Sequence, residues 1–156
     1  MFLVRIKRNR KGWGSGLVKM GKKVLVFGTF DILHPGHDFF LREARNCGDI
    51  LEVVIARDLT VKKVKGECPL NDESKRLAVV RNLEYVNNAY LGHEDDKYRI
   101  IEELRPDVIC LGYDQDSFTK DLRKILNERG LNPEIVRIGS FRPHMYKSSK
   151  LRSRIS

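Results

Sequence analysis

The sequence contains no apolar run close to the roughly 20 residues that a membrane-spanning helix needs, and its N-terminus lacks the apolar segment of a signal peptide. It has only three cysteines, at positions 47, 68 and 110, an odd number without a CxxC pair. Such sparse, widely spaced cysteines are typical of reduced thiols rather than of a disulfide framework. We therefore predict a cytoplasmic protein with no membrane partner.

Acidic residues are missing from both ends of the chain. Residues 1–19 hold six Lys or Arg and residues 142–156 hold five, whereas residues 20–141 contain 19 basic and 21 acidic residues. A nucleic-acid-binding domain more often carries its positive charge on the folded body, so we expect no nucleic-acid partner except through the N-terminal arm. We predict a basic, glycine-containing flexible arm over residues 1–19 and one domain over residues 20–156. Such a segment is either a disordered arm or lies upstream of a functional start at Met20. An arm that contacts nucleic acid or a partner is the alternative.

Within that domain, apolar runs alternate with segments of helical periodicity. The predicted strands are Val24–Gly28, Ile50–Ala56, Ala89–Gly92, Val108–Leu111 and Glu134–Ile138. The predicted helices are Pro35–Cys47, Asp72–Leu83, Lys97–Leu104 and Phe118–Arg129. Continuous apolar strands alternating with helices predict an α/β fold with a Rossmann-like, doubly wound, parallel five-stranded sheet in a single domain. The strand order 3-2-1-4-5 would bring the turns after the first and fourth strands together.

The most informative segment is GTFDILHPGH, at residues 28–37. It joins the first strand to the first helix, and a helix that opens through Pro and Gly directs free backbone N–H groups and a positive dipole end towards an anion. His34 and His37 lie on that same turn, which favours histidines that face a phosphate. Two alternatives stay open, a purely structural histidine pair and a pair of zinc ligands. Zinc needs a third protein ligand, and no Cys or His lies at a natural spacing nearby.

Polar residues also follow the second and fourth predicted strands. Asp114 and Gln115, in the turn after the fourth strand, could hold a base, a ribose or a metal ion, or could form an ordinary polar turn. The lysines at positions 62, 63 and 65 could reach the β- and γ-phosphates of a nucleotide, or could be solvated surface groups. Arg76 is a further candidate phosphate contact.

Near the C-terminus, Ser148 and Ser149 stand where a short helix could begin. Serine hydroxyls and backbone N–H groups at a helix start can bind a phosphate. A frayed basic tail is the alternative interpretation.

These motifs resemble the HxGH nucleotidylyltransferases, and within their cytidylyltransferase-like branch they are most similar to the archaeal FAD synthases. The resemblance covers about residues 22–150. It rests on the segments GTFDILHPGH, ARD followed by VKKVKG, LRPDVICLGYDQ, and PEIVR before a serine pair. Glycerol-phosphate cytidylyltransferases look similar but usually carry RTxGISTT near the end, where this chain has KSSKLR.

The resemblance implies transfer of AMP from ATP to FMN, which gives FAD and pyrophosphate by direct in-line attack of the FMN phosphate on the α-phosphate of ATP. A phosphate oxygen is already a nucleophile near neutral pH, so this reaction needs no Ser-His-Asp triad. It also implies a divalent metal ion, Mg²⁺ or a similar ion, that neutralises phosphate charge. The alternatives are a cytidylyltransferase that acts on a phospho-alcohol such as glycerol 3-phosphate, and a non-catalytic nucleic-acid-binding protein. Whether the chain forms a homodimer is left open.

The resemblance also implies the site residues, with no side chain predicted as a metal ligand. Catalytic roles are implied for His34, His37 and Lys63. Nucleotide-binding roles are implied for Thr29, Phe30, His34, Pro35, Gly36, His37, Lys65, Asp114, Ser148 and Ser149.

Overall fold

The computed structural model describes residues 21–115 and 121–141, together with four two-residue strands within residues 1–20. Those strands are β1 (Leu3–Val4), β2 (Arg8–Asn9), β3 (Gly12–Trp13) and β4 (Val18–Lys19). They form two small antiparallel pairs, β1 with β4 and β2 with β3. The predicted sites at Ser148 and Ser149 lie outside the described residues.

A five-stranded parallel sheet forms the centre of the domain. Its strands are β5 (Lys23–Gly28), β6 (Ile50–Ile55), β7 (Asn88–Leu91), β8 (Val108–Gly112) and β9 (Glu134–Ile138). They pair in the order β7-β6-β5-β8-β9, and every pairing is parallel. This is the predicted 3-2-1-4-5 order, with its reversal between β5 and β8. All five predicted strands are confirmed to within two residues at each end.

Five helices are described, and four of them cover the two faces of the sheet. They are α1 (Pro35–Asn46), α2 (Asp58–Lys65), α3 (Glu73–Arg81), α4 (Arg99–Leu104) and α5 (Leu122–Glu128). Successive strand residues point to opposite faces, so Val24 and Val26 of β5 pack with Leu41 of α1 and Val80 of α3. Leu25 packs on the other face with residues of α4 and α5. The doubly wound arrangement is therefore confirmed.

Among the described helices, α2 is the one that the sequence pattern did not predict. Its preceding residue, Arg57, provides no side-chain cap. The cap comes from a distant residue, because the Glu73 carboxylate accepts a hydrogen bond from the Asp58 backbone N–H at 2.9 Å. At the other end Gly66 adopts a left-handed conformation with φ of 85°, which ends the helix. A cap that comes from 15 residues further along the chain leaves no local signature.

The predicted helix Phe118–Arg129 is shorter in the structure, where it begins at Leu122, and Phe118 lies outside the described residues. The other helices agree closely with prediction, and Asp72 caps α3 by accepting from the Lys75 backbone N–H. In the part of the chain that the structure describes, no helix combines the length and apolarity needed to cross a membrane.

Candidate active site

The start of α1 is built by reciprocal hydrogen bonds between its two histidines. His34 is the N-cap residue in extended conformation, and its Nδ1 accepts from the Gly36 backbone N–H at 3.0 Å. In return, Nδ1 of His37 accepts from the His34 backbone N–H at 3.3 Å. Pro35 occupies the first helical turn, where its missing N–H costs nothing. The sequence HPGH thus forms a capping box in which imidazoles take the places of the usual hydroxyl and carboxylate.

These hydrogen bonds assign the tautomers of both rings. Because Nδ1 is the acceptor in each, a neutral imidazole carries its proton on Nε2. The rings stack with centroids 3.8 Å apart and planes inclined by 24°. The stacked rings therefore lie together at the start of α1, where the positive end of the helix dipole favours an anion such as a phosphoryl group.

The environment keeps His37 uncharged near neutral pH. Burial, together with the neighbouring His34 ring, lowers the pKa of His37 from 6.5 to about 4. Asp114 acts in the opposite direction on this pKa and Lys65 in the same direction, so both side chains are close enough to influence the ring. His37 is therefore a neutral hydrogen-bond donor rather than a general acid at pH 7.

Phe30 shapes the loop between β5 and α1. Its backbone is in the left-handed region, with φ of 51°, and its side chain is buried. The ring meets His37 edge-on at a centroid distance of 5.4 Å. It also covers Gly28, where an added Cβ would stand 2.4 Å from the ring. Gly28 is consequently required so that Phe30 can support His37.

A buried guanidinium holds the same loop to the elements after β6. Arg76 of α3 is 1% exposed and donates to the Thr29 carbonyl at 2.8 Å, to the Asn71 carbonyl at 3.0 Å and to the Asp58 carboxylate at 2.7 Å. Because its N–H groups are engaged in these hydrogen bonds and its side chain is buried, Arg76 does not contact a ligand. The predicted phosphate contact of Arg76 is therefore wrong, and the residue positions the loop instead.

Asp31 of the GTFD segment fixes the other side of this loop. Its carboxylate accepts from the backbone N–H groups of Leu70 and Asn71, both at 2.8 Å. The Asn71 side chain returns a hydrogen bond to the Asp31 carbonyl, also at 2.8 Å. The segment after α2 is therefore bound to the loop that contains Thr29 and Phe30.

The turn after β8 faces the histidine turn across the point where the strand order reverses. The Gln115 side chain accepts from the Gly112 N–H at 2.7 Å and donates to the Phe27 carbonyl at 3.0 Å. Its amide thus joins this turn to the end of β5, and the suggestion that it holds a base or ribose is not supported. Asp114, by contrast, is exposed.

A cavity of about 720 Å³ lies between the two turns and α2. Seven of the predicted site residues line it, namely Thr29, Phe30, His34, Gly36, His37, Lys65 and Asp114. Pro35 and Lys63 are not among the lining residues, although both are adjacent in sequence to segments that are. The volume is within the range of sites for cofactors and other small molecules.

A third histidine, which the sequence analysis did not identify, also lines the cavity. His93 follows β7, lines the cavity, and pairs through Nε2 with the Glu103 carboxylate of α4. Arg57 and Lys97 line the same region, and Arg57 is paired with Glu73 at 2.8 Å and with Glu94 at 3.7 Å. The position of His93 directly after a strand of a parallel sheet was a usable signal, because the carboxyl ends of such strands meet at one edge.

Comparison with known proteins agrees with this geometry. A model of the cytidylyltransferase-like family matches residues 25–154. The chain is 44% identical over 133 residues to a curated FAD synthase of Thermoplasma acidophilum, covering 85% of this chain and 93% of that one. It is 48% identical to a second FAD synthase, from Methanothermobacter thermautotrophicus, over 78% of this chain and 82% of the relative. The chain belongs to the cytidylyltransferase-like family.

Members of this family are nucleotidyltransferases, and the chain is an enzyme of that class. This finding excludes the alternative of a non-catalytic nucleic-acid-binding protein. Among solved structures it resembles a lipopolysaccharide core biosynthesis protein from Thermoplasma volcanium, with a TM-score of 0.74 and 42% identity over 78% of this chain and 99% of that one. A pantoate-beta-alanine ligase from Francisella tularensis, at 15% identity and a TM-score of 0.60, covers 81% of this chain and 62% of that one and shares only the fold.

Replacing Arg76 tests the loop assignment. We expect Arg76→Met to lower the free energy of unfolding by about 2–3 kcal/mol, because three acceptors lose their donor. Arg99→Met is the matched control, since Arg99 is exposed and pairs with Asp95 only at 3.5 Å. Urea unfolding of both variants measures the difference. Equal stability of the two variants would contradict the assignment.

The lowered pKa of His37 predicts a pH-dependent stability. Between about pH 6.5 and pH 4 the unfolded chain binds a proton at this residue that the folded chain does not. The free energy of unfolding therefore falls as the pH is lowered through this window. His37→Gln removes the titration, so urea unfolding of the variant at a series of pH values is expected to show a shallower fall. A fall of the same steepness in both proteins would mean that His37 titrates normally.

Proposed function

We propose that this chain is an FAD synthase, which transfers AMP from ATP to FMN and releases pyrophosphate. The observation that carries the proposal is the paired histidine start of α1 at a cavity of nucleotide size, in a chain 44% identical to a curated FAD synthase over 93% of that relative. The similarity to FAD synthases from several organisms, at 41–49% identity, selects FMN as the acceptor.

The proposed reaction is a direct displacement. An oxygen of the FMN phosphate forms a bond to the α-phosphorus of ATP, and the bond from that phosphorus to the β-bridging oxygen breaks, so that pyrophosphate leaves with the electron pair. No side chain has to act as the nucleophile, and the protein contributes alignment and charge stabilisation. In this proposal the Nε2–H groups of His34 and His37 would donate to the α-phosphoryl oxygens as negative charge moves onto them, because both Nδ1 atoms are engaged within the turn. The first backbone N–H groups of α1 are already bonded within the turn, those of His37 and Asp38 to the His34 carbonyl.

The negative charge on the β- and γ-phosphates of ATP has to be neutralised by cations. Lys65 lines the cavity and influences His37, which supports a contact between its ammonium group and the triphosphate. In the described residues, no group of three or more His, Cys, Asp or Glu side chains forms a metal cage. A divalent ion such as Mg²⁺ therefore fits best as part of the ATP substrate, held mainly by phosphate oxygens.

The nucleoside end of ATP is assigned to the turn after β8. Asp114 is an exposed acceptor at the cavity. The hydroxyl of Tyr113 is buried and has no hydrogen-bond partner in the described part of the chain, although the residue lines the cavity. Both groups can bind polar atoms of a ribose or base, and Phe30 lies on the side of the histidines. The assignment of Ser148 and Ser149 to phosphate binding stays a prediction.

The decisive experiment incubates the protein with FMN and, separately, each nucleoside triphosphate in the presence of Mg²⁺. We expect FAD and pyrophosphate with ATP, separated by chromatography. Formation of a cytidylyl product from glycerol 3-phosphate and CTP, with no FAD, would support the alternative cytidylyltransferase activity instead.

Removing one histidine donor tests the catalytic assignment. We expect His37→Ala to lower kcat for FAD formation by roughly 100-fold or more, which is typical of losing one donor to a developing charge. Because the side chain caps only a helix start, the thermal midpoint is expected to change little. Steady-state kinetics and thermal unfolding measure the two effects. A folded variant with nearly normal kcat would contradict the assignment.

The two lysines of α2 can be separated by paired variants. Residues two positions apart point to nearly opposite sides of a helix, so Lys63 and Lys65 cannot both face the cavity from α2. The catalytic role predicted for Lys63 remains a prediction, and the cavity geometry favours Lys65. We expect Lys65→Ala to raise KM for ATP about tenfold or more, and Lys63→Ala to have a much smaller effect. The reverse ranking in steady-state kinetics would assign the role to Lys63.

A further inference from the structure

Two exposed apolar side chains form part of the cavity wall. In the described residues, the large apolar side chains that are exposed at the surface are Ile32, Leu59, Val64, Leu70 and Val79. Of these, Ile32 and Val64 line the cavity, with 57% and 71% of their surface exposed. Apolar side chains left exposed in a concave site usually contact an apolar part of a ligand. Phosphate and ribose groups are polar, so they offer little apolar surface for these side chains to contact.

His93 lies on the same side of the histidine pair as α2, because it follows β7, and β6, which precedes α2, lies between β5 and β7. We call this side of the cavity, from the histidine pair to His93, the β6–β7 half. The Nε2 atom of His93 is paired with Glu103, which holds the ring in one orientation. Because Nε2 is engaged with Glu103, Nδ1 is the ring nitrogen that can bind a ligand in the cavity that the residue lines. A histidine fixed by a carboxylate is suited to binding a polar edge of a ligand.

The distance between strands of the sheet indicates how long a ligand must be to span this half of the cavity. His34 and His37 follow β5, and His93 follows β7, with β6 between them. Neighbouring strands lie about 4.8 Å apart, so the two ends of this half of the cavity are roughly 10 Å apart across the strands. A ligand anchored by its phosphate at the histidine pair must extend about that far to reach His93. Glycerol 3-phosphate is too short, whereas a phosphorylated side chain that carries a three-ring system is long enough.

We propose that this half of the cavity binds the isoalloxazine ring of FMN, with its apolar face against Ile32 and Val64 and its polar edge hydrogen-bonded to His93. Glu103 is a positioning residue that orients His93. The inference rests on the proposed function, which supplies FMN as the acceptor. The flavin then lies over β6 and β7, and the nucleoside of ATP binds on the opposite side of the cavity, near Asp114 and Tyr113.

The test replaces exposed apolar side chains by threonine, inside the cavity and away from it. Ile32→Thr/Val64→Thr is the double variant of the wall, and Val79→Thr is its matched control, because Val79 is 49% exposed on α3 and does not line the cavity. His93→Ala and Glu103→Gln test the polar end. Each protein is titrated with FMN, and binding is followed by quenching of flavin fluorescence. KM values for FMN and ATP are measured in the FAD-forming reaction.

We expect the wall variant and His93→Ala to weaken FMN binding and to raise KM for FMN about tenfold, with KM for ATP within twofold of its original value. Glu103→Gln is expected to have an intermediate effect on KM for FMN and little effect on kcat, which a general loss of folding would not produce. Val79→Thr is expected to change neither constant, and thermal unfolding checks that all variants fold.

Two results would overturn the inference. Unchanged KM for both substrates in the wall variant and in His93→Ala, with FAD still formed, would remove the flavin from this half of the cavity. A rise in KM for ATP alone would assign the half to the nucleotide. If the unaltered protein forms no FAD, the proposed function fails, and the fluorescence titration then decides the inference separately: no FMN binding overturns it, whereas FMN binding that the variants weaken supports it.

Discussion

The reciprocal hydrogen bonds between His34 and His37 are the interaction on which the rest of the site depends. They cap α1, fix both tautomers and align two Nε2–H donors at the positive end of the helix. The supporting contacts serve this arrangement: Phe30 packs on the His37 ring, Gly28 leaves space for Phe30, and Arg76 holds the Thr29 carbonyl. The residues that shape the catalytic surface are therefore the same ones that begin the helix.

Burial gives the histidine pair a second property, because it keeps His37 neutral at physiological pH. The His34 ring, stacked at a centroid distance of 3.8 Å, also lowers the pKa of His37, because positive charges on neighbouring rings repel each other. Cationic charge comes instead from Lys65 and from the metal ion that accompanies ATP in the proposed reaction. This division leaves His37 as an oriented donor whose protonation does not change near pH 7.

The sequence was sufficient for the fold and for the centre of the site, and insufficient where contacts join distant segments. Buried parallel strands and the HPGH helix start have strong local patterns, so the strand order, the histidine turn and the position of Asp114 could be predicted. Helix α2 could not be predicted, because its cap, Glu73, lies far along the chain. The buried role of Arg76 could not be predicted either, because it depends on Thr29, which is 47 residues away. His93 was missed although it directly follows β7, because it lies far from the histidine pair in sequence and stands in no local motif.

The central claim is a direct transfer of the adenylyl group between two aligned phosphates, with no covalent intermediate on the protein. The stereochemistry at the α-phosphorus tests it most directly, using ATP made chiral there by a single sulfur substitution and FMN as the acceptor. One in-line displacement predicts inversion of configuration in the FAD product. Retention would require two displacements through an adenylylated side chain and would contradict the account.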